Sequence, residues 1–119
     1  MVTGEIIKGR FQGKVVVVTG AAGGIGAATA RRFAAEGAAL VLTDLSTAAA
    51  KRQAVMEACQ VGGAHDVLSL DCDVSREDEV AAVMKAAMAR FGHLDVVVNI
   101  AGYMAFKLIQ DFSGDEWRQ

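Results

Sequence analysis

The residues with the strongest chemical signature are Thr19-Gly20-Ala21-Ala22-Gly23-Gly24-Ile25-Gly26, set between a valine run and an alanine-rich segment of helical spacing. A glycine at the end of a strand permits a tight turn. Glycines at a helix start let backbone N–H groups approach an anion with no Cβ in the way. The helix N-terminus adds roughly half a positive charge toward that anion. A pyrophosphate suits this arrangement. Glycine-rich loops are common, so the string alone says little; its place between a buried strand and a helix supplies the context of dinucleotide binding. No Gly-Lys-Ser/Thr follows the glycines, which argues against a P-loop.

The second chemical residue is Asp44, eighteen positions after Gly26 and at the end of another apolar run. A carboxylate there accepts hydrogen bonds from the hydroxyls of an adenosine ribose. It also repels a 2′-phosphate: two unit charges about 4 Å apart cost roughly 1 to 4 kcal/mol at effective dielectrics of 80 to 20. Asp44 therefore favours NAD over NADP. Read without that context, it is a turn or cap residue.

These residues need elements to position them. Lys14 to Thr19 reads as a strand buried on both faces, and Ile25 to Glu36 as a helix that leaves at Gly37. Ala39 to Thr43 is a second strand, and Ala48 to Gln60 a helix capped by Ser46 or Thr47. Val67 to Leu70 is a third strand. Ser75 and Asp78 resemble a capping box for a helix with Val80, Val83, Met84, Ala87, Met88 and Phe91 on one face. Leu94 to Val98 is a fourth strand, and Ser113-Gly114-Asp115-Glu116 opens another helix with three residues after it. The alternation predicts an α/β fold, a Rossmann-type doubly wound parallel sheet truncated after the fourth strand. Residues 1–119 form one incomplete unit, the N-terminal part of an NAD-binding domain.

Composition bounds the alternatives. The chain has 119 residues, 53% of them hydrophobic and 22% charged, a globular balance. A formal net charge of -2 gives no electrostatic case for nucleic acid or an anionic membrane as partner. No apolar run reaches the roughly 18 residues that span a bilayer, and the first residues lack the apolar core of a signal peptide. Cys59 and Cys72 have no metal-ligand spacing and read as reduced, which points to the cytoplasm. His65 and His93 stand alone at element edges, and a satisfied or solvated histidine is the plainer reading.

The spacing Thr19-Gly20-x-x-x-Gly24-Ile25-Gly26, the approach Phe11-Gln12-Gly13-Lys14-Val15, and Leu94-Asp95-Val96-Val97-Val98-Asn99-Ile100-Ala101-Gly102 at the fourth strand together resemble the short-chain dehydrogenase/reductase family. The resemblance runs from about Gly9 to the end, with motifs in order on the expected elements. It implies an NAD-dependent oxidoreductase moving a hydride between NAD(H) and an alcohol or carbonyl substrate, homo-oligomeric if full length. It implies cofactor contacts from Gly20, Gly24, Ile25, Gly26 and Asp44. Asp73 and Val74 would lie against the adenine, and Asn99, Ala101 and Gly102 near the ribose. Asp71 is read as a solvated turn residue; for Asp73 the alternative to the adenine role is a loop carboxylate near a helix start. Basic residues that the phosphate-binding members carry are replaced by Ala21, Ala22 and Leu45. The family's second asparagine is replaced by Ile100, which cannot bond neighbouring backbone through a side-chain amide.

The family's catalytic Tyr and Lys lie four apart on a helix after a fifth strand, where the lysine lowers the tyrosine pKa for proton transfer. Tyr103 and Lys107 have this spacing but directly follow the fourth strand, so it is read as coincidence. Ser113 and Ser69 read as a cap and a strand residue. No catalytic residue and no metal ligand is assigned, and the 119 residues alone are expected to be inactive. The expectation is a fragment of a dehydrogenase about twice as long, with Val96 to Val98 as an unpaired apolar edge. The alternative is a stand-alone nucleotide-binding or interaction module. An adenosylmethionine-dependent methyltransferase shares the glycine loop and the acid after strand two, but Asn99-x-Ala101-Gly102 and Gly24-Ile25-Gly26 favour the dehydrogenase.

Overall fold

The computed structural model describes residues 5–102 and 108–117. Its elements are β1 (Val15–Thr19), α1 (Gly24–Ala35), β2 (Ala39–Asp44), α2 (Ala49–Gly62), β3 (Val67–Asp71), α3 (Glu77–Phe91), β4 (Val96–Asn99) and the single turn α4 (Gly114–Trp117). The four strands pair in parallel in the order β3-β2-β1-β4. This is a Rossmann-like α/β sheet. Its order reverses between β1 and β4, and such a switch point opens a crevice at the carboxyl ends of the strands.

The burial pattern explains which strand sits where. β1 is buried at all five positions, and β2 at its first five. An unbroken apolar run such as Val15-Val16-Val17-Val18 suits a central strand covered on both faces. Successive side chains alternate. Val16, Val18, Leu40 and Leu42 pack with Ala27, Ala30 and Ala34 of α1 and Val55 and Cys59 of α2. Val15, Val17 and Val41 pack on the other face with Val83 and Ala87 of α3. β3 and β4 flank this pair, and Val97 of β4 is 46% exposed.

Several local expectations change. α2 is not capped by Ser46 or Thr47: those residues form a short 3-10 turn, and the N-cap is Ala48 with no side-chain bond. Ser75 and Asp78 make no capping box. α3 starts two residues after Ser75, and Asp73 instead accepts both the Ser75 N–H and the Ser75 hydroxyl at 3.0 and 2.6 Å. Three acids, Glu77, Asp78 and Glu79, occupy the first turn of α3 and suit its dipole. Met88, read as part of the apolar face of α3, is 48% exposed. At α4 the reciprocal box forms: Glu116 N–H donates to Ser113 Oγ at 3.0 Å, and Ser113 N–H to Glu116 Oε1 at 3.4 Å.

The C-terminal end of α1 is held by a buried acid. Glu36 is fully buried and paired with Arg10 and Arg32, its Oε2 accepting from Arg32 Nε at 2.6 Å and from Arg10 Nη2 at 2.7 Å. The hydrogen bonds from Arg10 and Arg32 hold its carboxyl down at about 2. Phe11 packs edge-on to Phe33 with ring centres 4.8 Å apart, closing the same end.

Candidate dinucleotide cleft

The chain leaves β1 through Gly20, whose φ of +65° is one that L side chains rarely adopt, and a Cβ there would lie 2.8 Å from Ala101 N. Gly26 has a different constraint: its Cβ would stand 2.0 Å from Gly20 O, so only glycine lets α1 close onto the turn. Gly24 differs again, with nothing within 4 Å of a would-be Cβ. The space over Gly24 is open. The N-cap of α1 is Gly23 with no side-chain bond, and its first turn has no acidic residue. The first-turn N–H groups of a helix have no carbonyl a turn earlier to bond, so here they face the opening. The helix ladder begins at Ala27 N–H to Gly23 O, 2.7 Å.

Thr19 sets the opposite wall. Its hydroxyl accepts the N–H groups of Ile100 and Ala101 at 3.1 and 3.2 Å, drawing the chain after β4 over the glycine turn. Asp44 ties the turn to β2: Oδ2 accepts Ala22 N–H at 3.0 Å and Oδ1 accepts Leu45 N–H at 2.8 Å. A carboxylate has about four acceptor sites, so two remain for a ligand.

A cleft of about 1070 Å³ lies over these groups. Gly20, Gly24, Ile25, Gly26, Asp44, Asp73, Val74, Ala101 and Gly102 all line it. Asn99 does not. It pairs with Thr19 across the ladder and is exposed, while the next residue, Ile100, faces the cleft. Strand alternation puts the two on opposite sides. Five lining residues were not assigned to the cofactor from sequence: Gly23, Leu45, Cys72, Ser75 and Ile100. Their signal was adjacency, since each neighbours a motif residue. Ile25, Leu45 and Val74 expose apolar side chains there, at 74%, 49% and 45%.

The acids at the adjoining strand ends are held differently. Hydrogen bonds from the Ser75 hydroxyl and N–H keep the Asp73 carboxyl below the usual carboxylate range. Burial pushes the Cys72 thiol up, helped by the charges of Glu79 and Asp73. Asp71 is not simply a solvated turn residue: it pairs with Arg52 Nη2 at 2.6 Å. His93 is not solitary, as its Nε2 lies 3.1 Å from Asp95 Oδ2. Tyr103 and Lys107 lie outside the described residues. Among the described residues no group of three or more His, Cys, Asp or Glu could hold a metal, and no helix is long and apolar enough to cross a membrane.

Comparison with known proteins agrees with this geometry. The short chain dehydrogenase family matches residues 14–119. The 3beta-hydroxysteroid dehydrogenase of Mediterraneibacter gnavus is 40% identical over 117 residues, 98% of this chain and 41% of that protein. The 1,6-dihydroxycyclohexa-2,4-diene-1-carboxylate dehydrogenase of Pseudomonas putida is 46% identical over 94 residues, 78% of this chain and 33% of that protein. The solved structure of NAD+-bound xylitol dehydrogenase superposes with a TM-score of 0.81 at 37% identity, over 91% of this chain and 41% of that one. The chain thus spans well under half the length of these relatives. From its glycine turn to the end of β4, this chain belongs to the short chain dehydrogenase family of oxidoreductases.

Proposed function

We propose that the cleft binds NAD, and that residues 1–119 are the N-terminal part of the NAD-binding domain of an alcohol or carbonyl oxidoreductase. One observation carries the reading. An uncapped, acid-free helix N-terminus of glycines opens into the same cleft as Asp44 at the end of the neighbouring strand. The first suits a pyrophosphate and the second a ribose diol.

The residues fit the group. A cleft near 1070 Å³ is just above the roughly 300–1,000 Å³ typical of small-molecule sites, room enough for a dinucleotide. Gly24, Ile25 and Gly26 would hold the pyrophosphate through backbone N–H groups, with the open space over Gly24 allowing close approach. Asp44 would take the ribose hydroxyls. The half-exposed Leu45 and Val74 would flank the adenine, and Asp73 would face its amino group. Ala101 and Gly102 would border the path toward the nicotinamide. Asn99, turned away from the cleft, would act through the strand rather than by contact.

When bound, NAD would supply a hydride acceptor for an alcohol carbon or, as NADH, a hydride donor for a carbonyl. The residues of this chain bind and orient the cofactor, and none of the described ones is assigned the proton transfer. That both relatives are dehydrogenases named for hydroxylated ring compounds supports the alcohol or carbonyl class of substrate. The free, buried Cys59 and Cys72 support a reducing, cytoplasmic setting.

Calorimetric titration tests the reading. NAD is expected to bind several-fold more tightly than NADP, with no heat from S-adenosylmethionine. Binding of S-adenosylmethionine without NAD would overturn it in favour of a methyltransferase.

A further inference from the structure

Arg52 of α2 is only 6% exposed, although it is a charged residue on a surface helix. Its guanidinium reaches over β3 and makes three bonds. Nε donates to Ser69 Oγ at 2.6 Å, Nη1 to the main-chain carbonyl of Asp44 at 3.2 Å, and Nη2 to Asp71 Oδ1 at 2.6 Å. Asp44 and Asp71 are register partners on adjacent strands and so share a face of the sheet. The two acidic residues therefore stand on neighbouring strand ends, with Asp44 lining the cleft and Asp71 turned to Arg52. Asp71 has an ion-pair partner, whereas Asp44 has backbone N–H partners and, among the described residues, no cation.

We propose that Arg52 is a positioning residue that sets the charge a nucleotide meets at Asp44. It holds the Asp44 main chain, as does Cys72 N–H on the same carbonyl at 2.8 Å. It also neutralises Asp71, which stands one strand over from Asp44 and outside the cleft lining, so that the field at the ribose 2′ position is that of one carboxylate rather than two. This rests on the proposal that the ribose lies at Asp44. Removing Arg52 uncovers the second negative charge and sharpens rejection of a 2′-phosphate. Removing the charge of Asp71 leaves the Arg52 cation without its counter-charge and softens that rejection. A fork that served only to stiffen the strand ends would not produce shifts of opposite sign.

The test is calorimetric titration of ADP-ribose and of 2′-phospho-ADP-ribose into the wild-type protein, Arg52→Gln and Asp71→Asn, with circular dichroism to establish folding. Relative to wild type, the preference for ADP-ribose is expected to rise about threefold or more in Arg52→Gln and to fall by a similar factor in Asp71→Asn, both effects shrinking at high salt. Asp71 is half-exposed, so its variant gives the answer even if Arg52→Gln does not fold. Wild-type binding with an unmoved ratio in Asp71→Asn, or a ratio moving the same way in both variants, overturns the role of Arg52 alone. No binding of ADP-ribose by the wild type overturns the nucleotide reading and this inference with it.

Discussion

The two ends of α1 are built in opposite ways. At its C-terminal end the charged and backbone groups are tied to others inside the chain. Glu36 is buried between Arg10 and Arg32, Gly37 and Ala38 N–H groups return to the last turn, and Phe11 N–H bonds Glu36 O at 2.9 Å. At its N-terminal end the cap is a glycine, the first turn has no acid, and the space over Gly24 is open. α3 shows what an ordinary start looks like, with three acids in its first turn. A helix needs its terminal groups satisfied; α1 finds partners in the following and preceding chain at one end and has no capping side chain at the other. One end fastens the fold, and the other carries the proposed site.

Substitutions should separate these roles, and the largest effect is expected at Gly26. Gly26→Ala drives a Cβ into Gly20 O, so the loop must move. We expect at least about 100-fold weaker NAD binding by calorimetry, with about 1–3 kcal/mol of destabilisation of the overpacking kind. Asp44→Ala removes the tie to Ala22 and the ribose acceptor together, and should weaken ADP-ribose about 10- to 100-fold, as loss of hydrogen bonds to a charged group does. Binding of nicotinamide mononucleotide should stay near wild type, since that half lies away from Asp44. At the other end, Glu36→Gln should lower the melting temperature and leave NAD affinity unchanged. Because the folded carboxyl is held near 2 against 4.5 for a free one, its stabilisation is fully present above pH 4.5 and is lost as pH falls through about 2. Thermal melts of wild type and Glu36→Gln across that window should converge at the acid end. The smallest change is Gly24→Ala. With no positive φ and no neighbour to meet, it should stabilise the chain by about 0.4–1 kcal/mol while weakening NAD several-fold.

What the amino-acid pattern revealed follows the same division. The central strands were legible because a strand covered on both faces must be apolar throughout, as Val15 to Val18 are. The glycine turn was legible because Gly20 and Gly26 each answer a steric demand that no other residue meets. Asn99 was assigned to the cofactor by motif, yet the alternation of β4 carries it to the other face from Ile100. Capping was misread at α2 and α3 because hydroxyl and acid residues near a helix start fit several turns, and only the backbone path decides which N–H they meet. Arg52 was silent in sequence. Its partners Ser69 and Asp71 lie 17 and 19 residues away, and a cation on a helix reads as solvated until the sheet places those partners beneath it.

The most direct measurement is the amide nitrogen–proton spectrum of the labelled protein titrated with NAD. The asymmetry of α1 predicts large, saturating shifts at Gly24, Ile25 and Gly26 and at Leu45 beside Asp44, with Glu36, Gly37 and Ala38 unmoved. Shifts confined to the Glu36 end, or none at the glycine turn at saturating NAD, would contradict the account.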